Sequence, residues 1–323
     1  MTKDAVENKL SMLAQLKAQG TAQSLEILKQ LIADRSSIVV AKAAQMAGEV
    51  GAGELAQKLV RAFDPFMKDG PRKDKRCQAK LAIIKALRRL NADDLEMLTR
   101  GVRYVQMEPV YGGMEDTAAP MRVECAAAMA ETGWRGAQIE LAQLLADPVT
   151  DARIGAARIL AQSQLPAAEA LLRLRVLAGE KEPAALQEYF VSLLALDPAG
   201  SVEFCSRFLD ETSGPGFEAA ALALGESRLE AALPVLVDAV QKHAGTNCRR
   251  VLFASIALLR RDGAMDFLLS AIAREPELMA LDAVEALAVY DRDEPLVQRI
   301  RQTVSQRGSV KLRQAVEKSF GRT

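Results

Sequence analysis

Apolar residues recur along most of this chain with the spacing of amphipathic α-helices. In one segment, Leu233, Leu236, Val237 and Val240 fall at positions i, i+3, i+4 and i+7, so they share one face of a helix. No comparable run of strict apolar and polar alternation occurs, which disfavours strands. Gly, Pro, Ser and Asp collect between the apolar segments, where they end one helix and cap the next. The pattern predicts an all-α protein built from short helices.

The helical segments repeat in pairs. Small residues recur near the centre of the second helix in seven of the pairs, at Ala43, Ala82, Ala126, Ala156, Ala220, Ala254 and Ala283. The interval from Ala156 to Ala220 fits two units of about 32 residues, a length typical of helical-repeat arrays. The repetition predicts roughly nine helix pairs, stacked so that each buries its apolar face on its neighbours. We expect one continuous solenoid over residues 1–323, preceded by a capping helix within residues 1–20.

Two segments resemble a known family of repeats. Residues 144–157, with Asp147-Pro148 in the loop, resemble a HEAT repeat of the bacterial subtype also seen in phycobilin lyases. Residues 231–236 are similar to the same repeat, with a proline inside the first helix. The resemblance implies a right-handed α-solenoid whose second helices line a concave face. It also implies a ladder of Asp and Arg side chains, for which Asp147 with Arg153 and Asp116 with Arg122 have the expected spacing.

Composition and charge narrow the range of functions. Forty-two basic residues balance forty-two acidic ones, so the net charge does not favour attraction to nucleic acid or to an anionic membrane. No apolar stretch approaches the roughly 18 residues that cross a bilayer, and the first residues lack the apolar core of a secretion signal. We therefore expect a cytoplasmic protein that does not enter a membrane.

The residue types that carry most enzyme chemistry are few and widely spaced. Cys77, Cys125, Cys205 and Cys248 have no Cys-x-x-Cys spacing, so buried thiols are expected rather than a zinc site. His243, the one histidine, follows a predicted helix and suits a capping role. The sequence contains no Gly-x-Ser-x-Gly motif, no Gly-rich phosphate loop and no His-Glu-x-x-His motif. We expect no catalytic residue, no metal and no cofactor.

Residues 103–122 interrupt the repeat. The loop of the third unit is longer than its counterparts by about ten residues, and long loops in compact folds usually carry function or are disordered. Its apolar and aromatic residues predict an ordered loop, with anchors at Tyr104, Met107, Val110, Tyr111 and Met114. Gly112-Gly113 permits a tight turn, while Pro109 and Pro120 restrict the backbone. The loop is either a docking surface or a structural clasp over an irregular joint.

Basic residues concentrate in the unit before this insertion. Nine basic and two acidic residues lie between Lys68 and Arg89, and a second basic excess lies in residues 299–322. In a stacked array, the loop of the second unit lies beside the insertion of the third. Together they predict one binding edge, with candidate residues Arg72, Lys73, Lys75, Arg76, Arg103, Tyr104, Gln106, Glu108, Tyr111 and Glu115. A solvated basic face without a ligand is the alternative interpretation.

Three functions are compatible with these observations. A non-enzymatic scaffold that binds a partner protein or peptide on its concave face and loop edge fits the repeat and the local charge best. Nucleic-acid binding through the basic patches is an alternative, although no row of aromatic residues accompanies them for base stacking. A chromophore-binding enzyme similar to phycobilin lyases is implied by the resemblance alone, and it would need an acid and a base near the tyrosines of the insertion.

Overall fold

The computed structural model describes residues 3–16, 22–243 and 246–321, and these residues are mostly helical, as predicted. The first helix, Lys3–Leu16, occupies the described part of the predicted N-terminal capping helix. Residues 1, 2 and 17–20 of that prediction lie outside the described residues, and so does Arg322 of the second basic excess. The helices group into two compact units, Met1–Ala168 and Glu169–Thr323.

In the first unit, alternate helices pack side by side. Its α-helices are α1 Lys3–Leu16, α2 Ala22–Leu31, α3 Ser37–Glu49, α4 Ala56–Met67, α5 Gly70–Lys73, α6 Gln78–Arg89, α7 Leu95–Val102, α8 Ala119–Glu131, α9 Ala137–Leu144 and α10 Thr150–Gln162. Helix α3 packs against α6, α6 against α8, and α8 against α10. Helices α2, α4, α7 and α9 cover this row, since they pack against α3, α6, α8 and α10 respectively. Two strands lie between α7 and α8.

The second unit has the same arrangement. Its α-helices are α11 Ala168–Leu177, which begins at the boundary, α12 Pro183–Leu196, α13 Pro198–Ser206, α14 Pro215–Glu226, α15 Ala232–Lys242, α16 Thr246–Leu258, α17 Asp262–Arg274, α18 Glu277–Leu287, α19 Glu294–Arg307 and α20 Val310–Phe320. Helices α12, α14, α16, α18 and α20 each pack against the next in that order. Short 3-10 turns follow α13 and α18, at Arg207–Leu209 and Ala288–Tyr290.

Local sequence explains where several helices begin. Asp94 and Ser309 accept hydrogen bonds from backbone N–H groups three residues ahead, which caps α7 and α20. Pro234 lies inside a helix, as predicted, and it is the third residue of α15, where a missing backbone N–H removes no intrahelical bond. Pro65 is the proline that lies inside a helix of the first unit, α4.

Small residues allow neighbouring helices to approach closely. A Cβ on Gly48 of α3 would lie 3.0 Å from the Ala86 Cα atom of α6, and a Cβ on Gly225 of α14 would lie 2.3 Å from the Ser255 carbonyl oxygen of α16. Ala43, Ala126, Ala156, Ala220 and Ala283, five of the predicted helix centres, are buried. Ala82 and Ala254 are half-buried. The small-residue pattern therefore marks real helix contacts, because larger side chains would separate the helices.

A buried arginine links successive loops of the first unit. Arg122 of α8 is 3% exposed, and its NH1 atom donates to Asp116 Oδ2 at 2.6 Å. Its Nε and NH2 atoms each donate to the Asp147 carboxylate of the following loop at 2.9 Å. Arg153 donates to the backbone carbonyl oxygens of Asp147 and Pro148. The predicted Asp116–Arg122 pair is thus present, and it continues to Asp147.

Replacement of Arg122 should destabilise the first unit. R122M leaves two largely buried carboxylates, Asp116 and Asp147, without their cation, and breaking such a pair costs about 3–5 kcal/mol. Urea unfolding followed by the fluorescence of Trp134, the one tryptophan, measures this loss. R100M is the matched control, since Arg100 pairs with Asp64 at the surface and should contribute less than about 1 kcal/mol. Equal losses in the two variants would contradict the role given to Arg122.

Candidate functional site

The inserted segment forms a β-hairpin, which corrects the expectation that strands are absent. β1, Met107–Val110, pairs antiparallel with β2, Gly113–Asp116, and Tyr111-Gly112 forms the turn. Gly112 has a φ of +89°, a conformation that side chains disfavour. The apolar periodicity does not reveal the strands for two reasons. Each strand has only four residues, and in β1 a polar residue is buried while the apolar residues are exposed, the reverse of the usual pattern. In β1 the buried residue is Glu108, while its apolar neighbours are exposed.

The basic loop, residues 68–76, lies directly against this hairpin. It contains α5 and leads into a 3-10 turn at Lys75–Cys77. Three non-glycine residues here have positive φ angles. They are Asp69 and Arg76 in the loop and Cys77 directly after it, with φ angles of 61°, 55° and 54°. Left-handed backbone costs about 1–2 kcal/mol for each such residue. The surrounding contacts must offset this cost.

A buried ion pair supplies the first of these contacts. The side chains of Lys80 and Asp74 are both 0% exposed, and Lys80 Nζ lies 3.0 Å from Asp74 Oδ2. Lys80 Nζ also donates to the Phe66 carbonyl oxygen and to Gln106 Oε1, each at 3.1 Å, so all three of its protons have acceptors. The Asp74 carboxylate accepts from the backbone N–H groups of Ala79 and Lys80, at the start of α6.

Gln106 connects this pair to the hairpin. Its Oε1 atom accepts from Lys80 Nζ and from the Tyr104 hydroxyl group, both at 3.1 Å. Its Nε2 atom donates to the Asp74 carbonyl oxygen at 2.8 Å and to Glu108 Oε1 at 2.7 Å. The amide therefore uses both of its donors and its acceptor, which fixes the hairpin base on the basic loop.

Glu108 completes the connection. Its Oε1 atom accepts from the Arg76 backbone N–H at 2.6 Å and from the Thr117 hydroxyl at 2.7 Å, in addition to Gln106. Burial raises the pKa of Glu108, but the hydrogen bonds from Gln106, Thr117 and Arg76 outweigh it, so the pKa lies below the usual glutamate value. We call Asp74, Lys80, Tyr104, Gln106 and Glu108 the clasp network.

Close packing surrounds the clasp network. A Cβ on Gly70 would lie 2.2 Å from Gln106 Oε1 and 2.3 Å from the Tyr104 hydroxyl oxygen. Lys80 Nζ lies 5.1 Å from the centre of the Tyr104 ring, within the range of a cation–π contact. Burial raises the pKa of Cys77 to about 11, so this thiol stays protonated at neutral pH and is a poor nucleophile. The network is therefore a structural clasp.

The outer face of the hairpin is apolar and exposed. Successive residues of a strand point to opposite sides, so Met107 and Pro109 point away from Gln106 and Glu108. Met114 pairs with Pro109 and shares its side. Met107 and Met114 are 44% and 58% exposed, Tyr111 in the turn is fully exposed, and Val105 is 58% exposed.

The ten predicted binding residues divide into three groups. Tyr104, Gln106 and Glu108 belong to the clasp network, and Arg103 pairs with Glu140 of α9. The remaining six are exposed: Arg72, Lys73, Lys75, Arg76, Tyr111 and Glu115. The prediction that apolar residues anchor the insertion is wrong for Met107, Val110, Tyr111 and Met114. These side chains face solvent, and polar residues hold the hairpin instead.

Sequence reasoning missed Lys80 as an anchor. It was counted within the basic run, yet its side chain is completely buried. A signal for this was present, since Lys80, Ile83, Ile84 and Leu87 fall at i, i+3, i+4 and i+7, the buried face of α6. A lysine on an apolar face needs a buried carboxylate, and Asp74 provides it.

Other chemistry is sparse in the described residues. They contain no group of three His, Cys, Asp or Glu side chains placed to hold a metal ion. His243, in the second unit, contacts the Leu209 carbonyl oxygen and packs edge-on against Phe217. Cys77, Cys125 and Cys205 are buried as expected, whereas Cys248 is partly exposed. Among the described helices, none has the length and apolar character of a membrane span.

Comparisons with known proteins assign no family. No protein-family model matches the chain, and no curated protein matches it. A solved structure of an engineered protein, from the Northeast Structural Genomics Consortium, is 18% identical. The match covers 96% of this chain and 91% of that chain, with a TM-score of 0.35.

Loss of Lys80 should weaken both the fold and the hairpin base. K80M leaves the Asp74 carboxylate buried and unpaired, which should cost about 3–5 kcal/mol in urea unfolding. K85M changes an exposed lysine on the same helix and should stay within about 0.5 kcal/mol of the wild type. If K80M unfolds at the same urea concentration as K85M, the buried pair of Asp74 and Lys80 does not stabilise the fold.

The hairpin should also loosen in acid. A carboxyl group whose pKa is lowered by folding stabilises the folded state above its unfolded pKa, about 4.3, and that contribution is lost as the pH falls. Amide hydrogen exchange of residues 106–117, corrected for its intrinsic pH dependence, should therefore accelerate below about pH 4.3 in the wild type. E108Q should lack this acceleration. E115Q, at the exposed cross-strand partner, should keep it; identical profiles for the two variants would contradict the role of Glu108.

Proposed function

We propose that the protein is a non-enzymatic interaction scaffold that binds a partner protein or peptide. The docking edge consists of the outer face of the hairpin, with Met107, Pro109, Tyr111 and Met114, and the exposed side chains of the basic loop. The observation that carries the proposal is the orientation of the hairpin. Gln106 and Glu108 point inward into the clasp network, while the apolar residues Met107 and Met114 face solvent.

Exposed apolar clusters on a folded protein commonly mark interaction surfaces. The hairpin is short, but its base is fixed to the basic loop by the hydrogen bonds of Gln106 and Glu108. An anchored surface loses less conformational entropy when a partner binds than a flexible loop would. From the sequence, a structural clasp and a docking surface are alternative roles for the insertion. The two roles are compatible, because the clasp network holds the exposed face of the hairpin in place.

The neighbouring charges also favour binding. Arg72, Lys73 and Lys75 are exposed, and none of the ion pairs among the described residues involves them. Arg103, in contrast, is already engaged by Glu140. Free cations at the rim of an apolar surface increase the association rate and the selectivity for an oppositely charged partner.

The same contacts argue against chemistry at this site. A chromophore-binding enzyme would need an acid and a base beside the tyrosines, but both candidates are buried and engaged: Lys80 Nζ has acceptors for its three protons, and Glu108 Oε1 accepts three hydrogen bonds. Tyr104 bonds to Gln106, and Tyr111 projects into solvent. We therefore favour a binding role for the hairpin over a catalytic one.

We also propose that the helices form a right-handed HEAT-like solenoid. Within each unit, most of the described helices pack in pairs, such as α7 with α8 and α17 with α18, and this pairing is what a helical repeat requires. The row of packed second helices in each unit and the link from Asp116 through Arg122 to Asp147 support this proposal. Continuity of the array through both units stays a prediction, and so does a cytoplasmic location.

Substitutions on the docking edge should abolish partner binding without unfolding the chain. We expect M107S/Y111S/M114S and R72E/K73E/K75E to keep the helical circular dichroism and to lose the same partner in affinity purification from the native host. The control R274E/R313E/K318E reverses three exposed charges in the second unit and should retain that partner. Partner recovery that is equal in all variants would rule out this location.

Nucleic-acid binding is the alternative that the basic loop favours. It predicts a complex with short duplex DNA that weakens steeply as salt increases and is lost in R72E/K73E/K75E. M107S/Y111S/M114S should leave such a complex intact, because the apolar face would contact no phosphate. A gel shift with this pattern would replace the scaffold proposal.

A further inference from the structure

We infer that the docking edge recognises an acidic, apolar segment of its partner, an extended peptide in which carboxylates adjoin large apolar side chains. This inference rests on the proposed function and adds the chemistry of the bound segment. It follows from the sign of the exposed charge, from the shape of the apolar face, and from the proximity of the two.

The exposed charge of the basic loop is strongly positive. Its exposed cations are Lys68, Arg72, Lys73, Lys75 and Arg76. One carboxylate of the loop, Asp69, is exposed, whereas Asp74 is buried and paired with Lys80. The clasp network thus removes an acidic group from the surface and leaves the cations in excess. A cationic partner would be repelled by this loop, whereas an anionic one is attracted to it, so the loop favours a partner segment with negative charge.

The apolar face suits an extended segment. Two strands of four residues are about 13 Å long, which matches a short stretch of extended chain better than a broad protein surface. Met107 and Met114 are flexible and polarisable, so they can adapt to different apolar side chains. Pro109 has no backbone N–H to donate to an added strand. Recognition on the β1 side is therefore made by side chains, apolar ones on the hairpin and basic ones on the loop.

The two surfaces are close because the hairpin rests on the loop. Glu108 accepts a hydrogen bond from the Arg76 backbone N–H, and Gln106 donates to the Asp74 carbonyl oxygen. Met107 and Met114 lie on the other side of this thin hairpin, so a segment that covers them must continue around the hairpin edge to meet the long side chains of the loop. Carboxylates flanking the apolar residues of the partner would meet arginine and lysine there.

The details of the surface favour a peptide over an anionic membrane. Asp69 of the basic loop and Glu115, which lies on the same side of the hairpin as Glu108, are exposed and would repel lipid phosphates. The turn carries one large side chain, Tyr111, next to Gly112 and Gly113, so it offers little to insert among lipid tails. A peptide can place its charges to avoid the two carboxylates, whereas a uniformly charged lipid surface cannot.

A displayed peptide library tests the inference with the full chain. A random library of peptides of about twelve residues is panned on the wild type alone, and the enriched clones are then tested for binding to R72E/K73E/K75E and to M107S/Y111S/M114S. Enriched sequences should carry two or more Asp or Glu residues beside large apolar residues. Fluorescence anisotropy then measures the affinity of the leading peptide. Its affinity for R72E/K73E/K75E should be at least about tenfold lower than for the wild type. A peptide with Asn and Gln in place of Asp and Glu should show the same loss on the wild type. Binding to R274E/R313E/K318E should be unchanged.

The outcomes separate the inference from the proposed function. Peptides that lose binding to M107S/Y111S/M114S but show no excess of acidic residues would overturn the inference and leave the docking edge in place. Peptides that bind all variants equally, or no enrichment at all, would overturn both. Vesicles of phosphatidylcholine with about one-third phosphatidylserine provide the membrane comparison. If the inference is right, the wild type should not sediment with these vesicles. If it does sediment, if R72E/K73E/K75E and M107S/Y111S/M114S do not, and if the peptides show no excess of acidic residues, the ligand is a lipid surface and the inference is wrong.

Discussion

The ion pair between Asp74 and Lys80 is the interaction on which the position of the hairpin depends. Both side chains are removed from water, and such burial is unfavourable unless every polar atom finds a partner. The partners come from three segments: the end of α4 through Phe66, the start of α6, and the hairpin through Gln106. The pair therefore fixes the relative positions of segments that are distant in sequence. It also compensates for the left-handed backbone at Arg76 and Cys77.

A second buried cation holds the other end of the insertion. Asp116, the last residue of β2, accepts hydrogen bonds from the Gln106 backbone N–H and from Arg122. Arg122 in turn binds Asp147 of the next loop and the Tyr104 carbonyl oxygen. Lys80 thus anchors the hairpin to the preceding loop, and Arg122 anchors it to the following one. The long insertion is held by charged groups at both ends.

Sequence predicted the helices and the small residues between them, because helix formation depends on local periodicity that is visible in one chain. It also predicted that residues 72–76 lie near the insertion, since stacking of repeats brings successive loops together. It did not predict the hairpin, the burial of Lys80, or the inward orientation of Gln106 and Glu108. The orientation of Gln106 and Glu108 depends on partners 26 to 32 residues away. The hairpin and the ion pair of Lys80 are local, but the reversed polarity of β1 and the charge of Lys80 conceal them. A buried glutamate looks like a surface residue until the donors around it are known.

The separation of anchoring and exposed residues has an evolutionary consequence. The apex of the hairpin, residues 109–114, makes few contacts that the folded core requires, since its side chains are exposed and its base is fixed by Gln106, Glu108 and Asp116. Mutations at the apex can therefore change the exposed surface while folding remains intact. Under the proposed function, selection could exchange one partner for another in this way. The apex is also a site where a designer can insert foreign sequences.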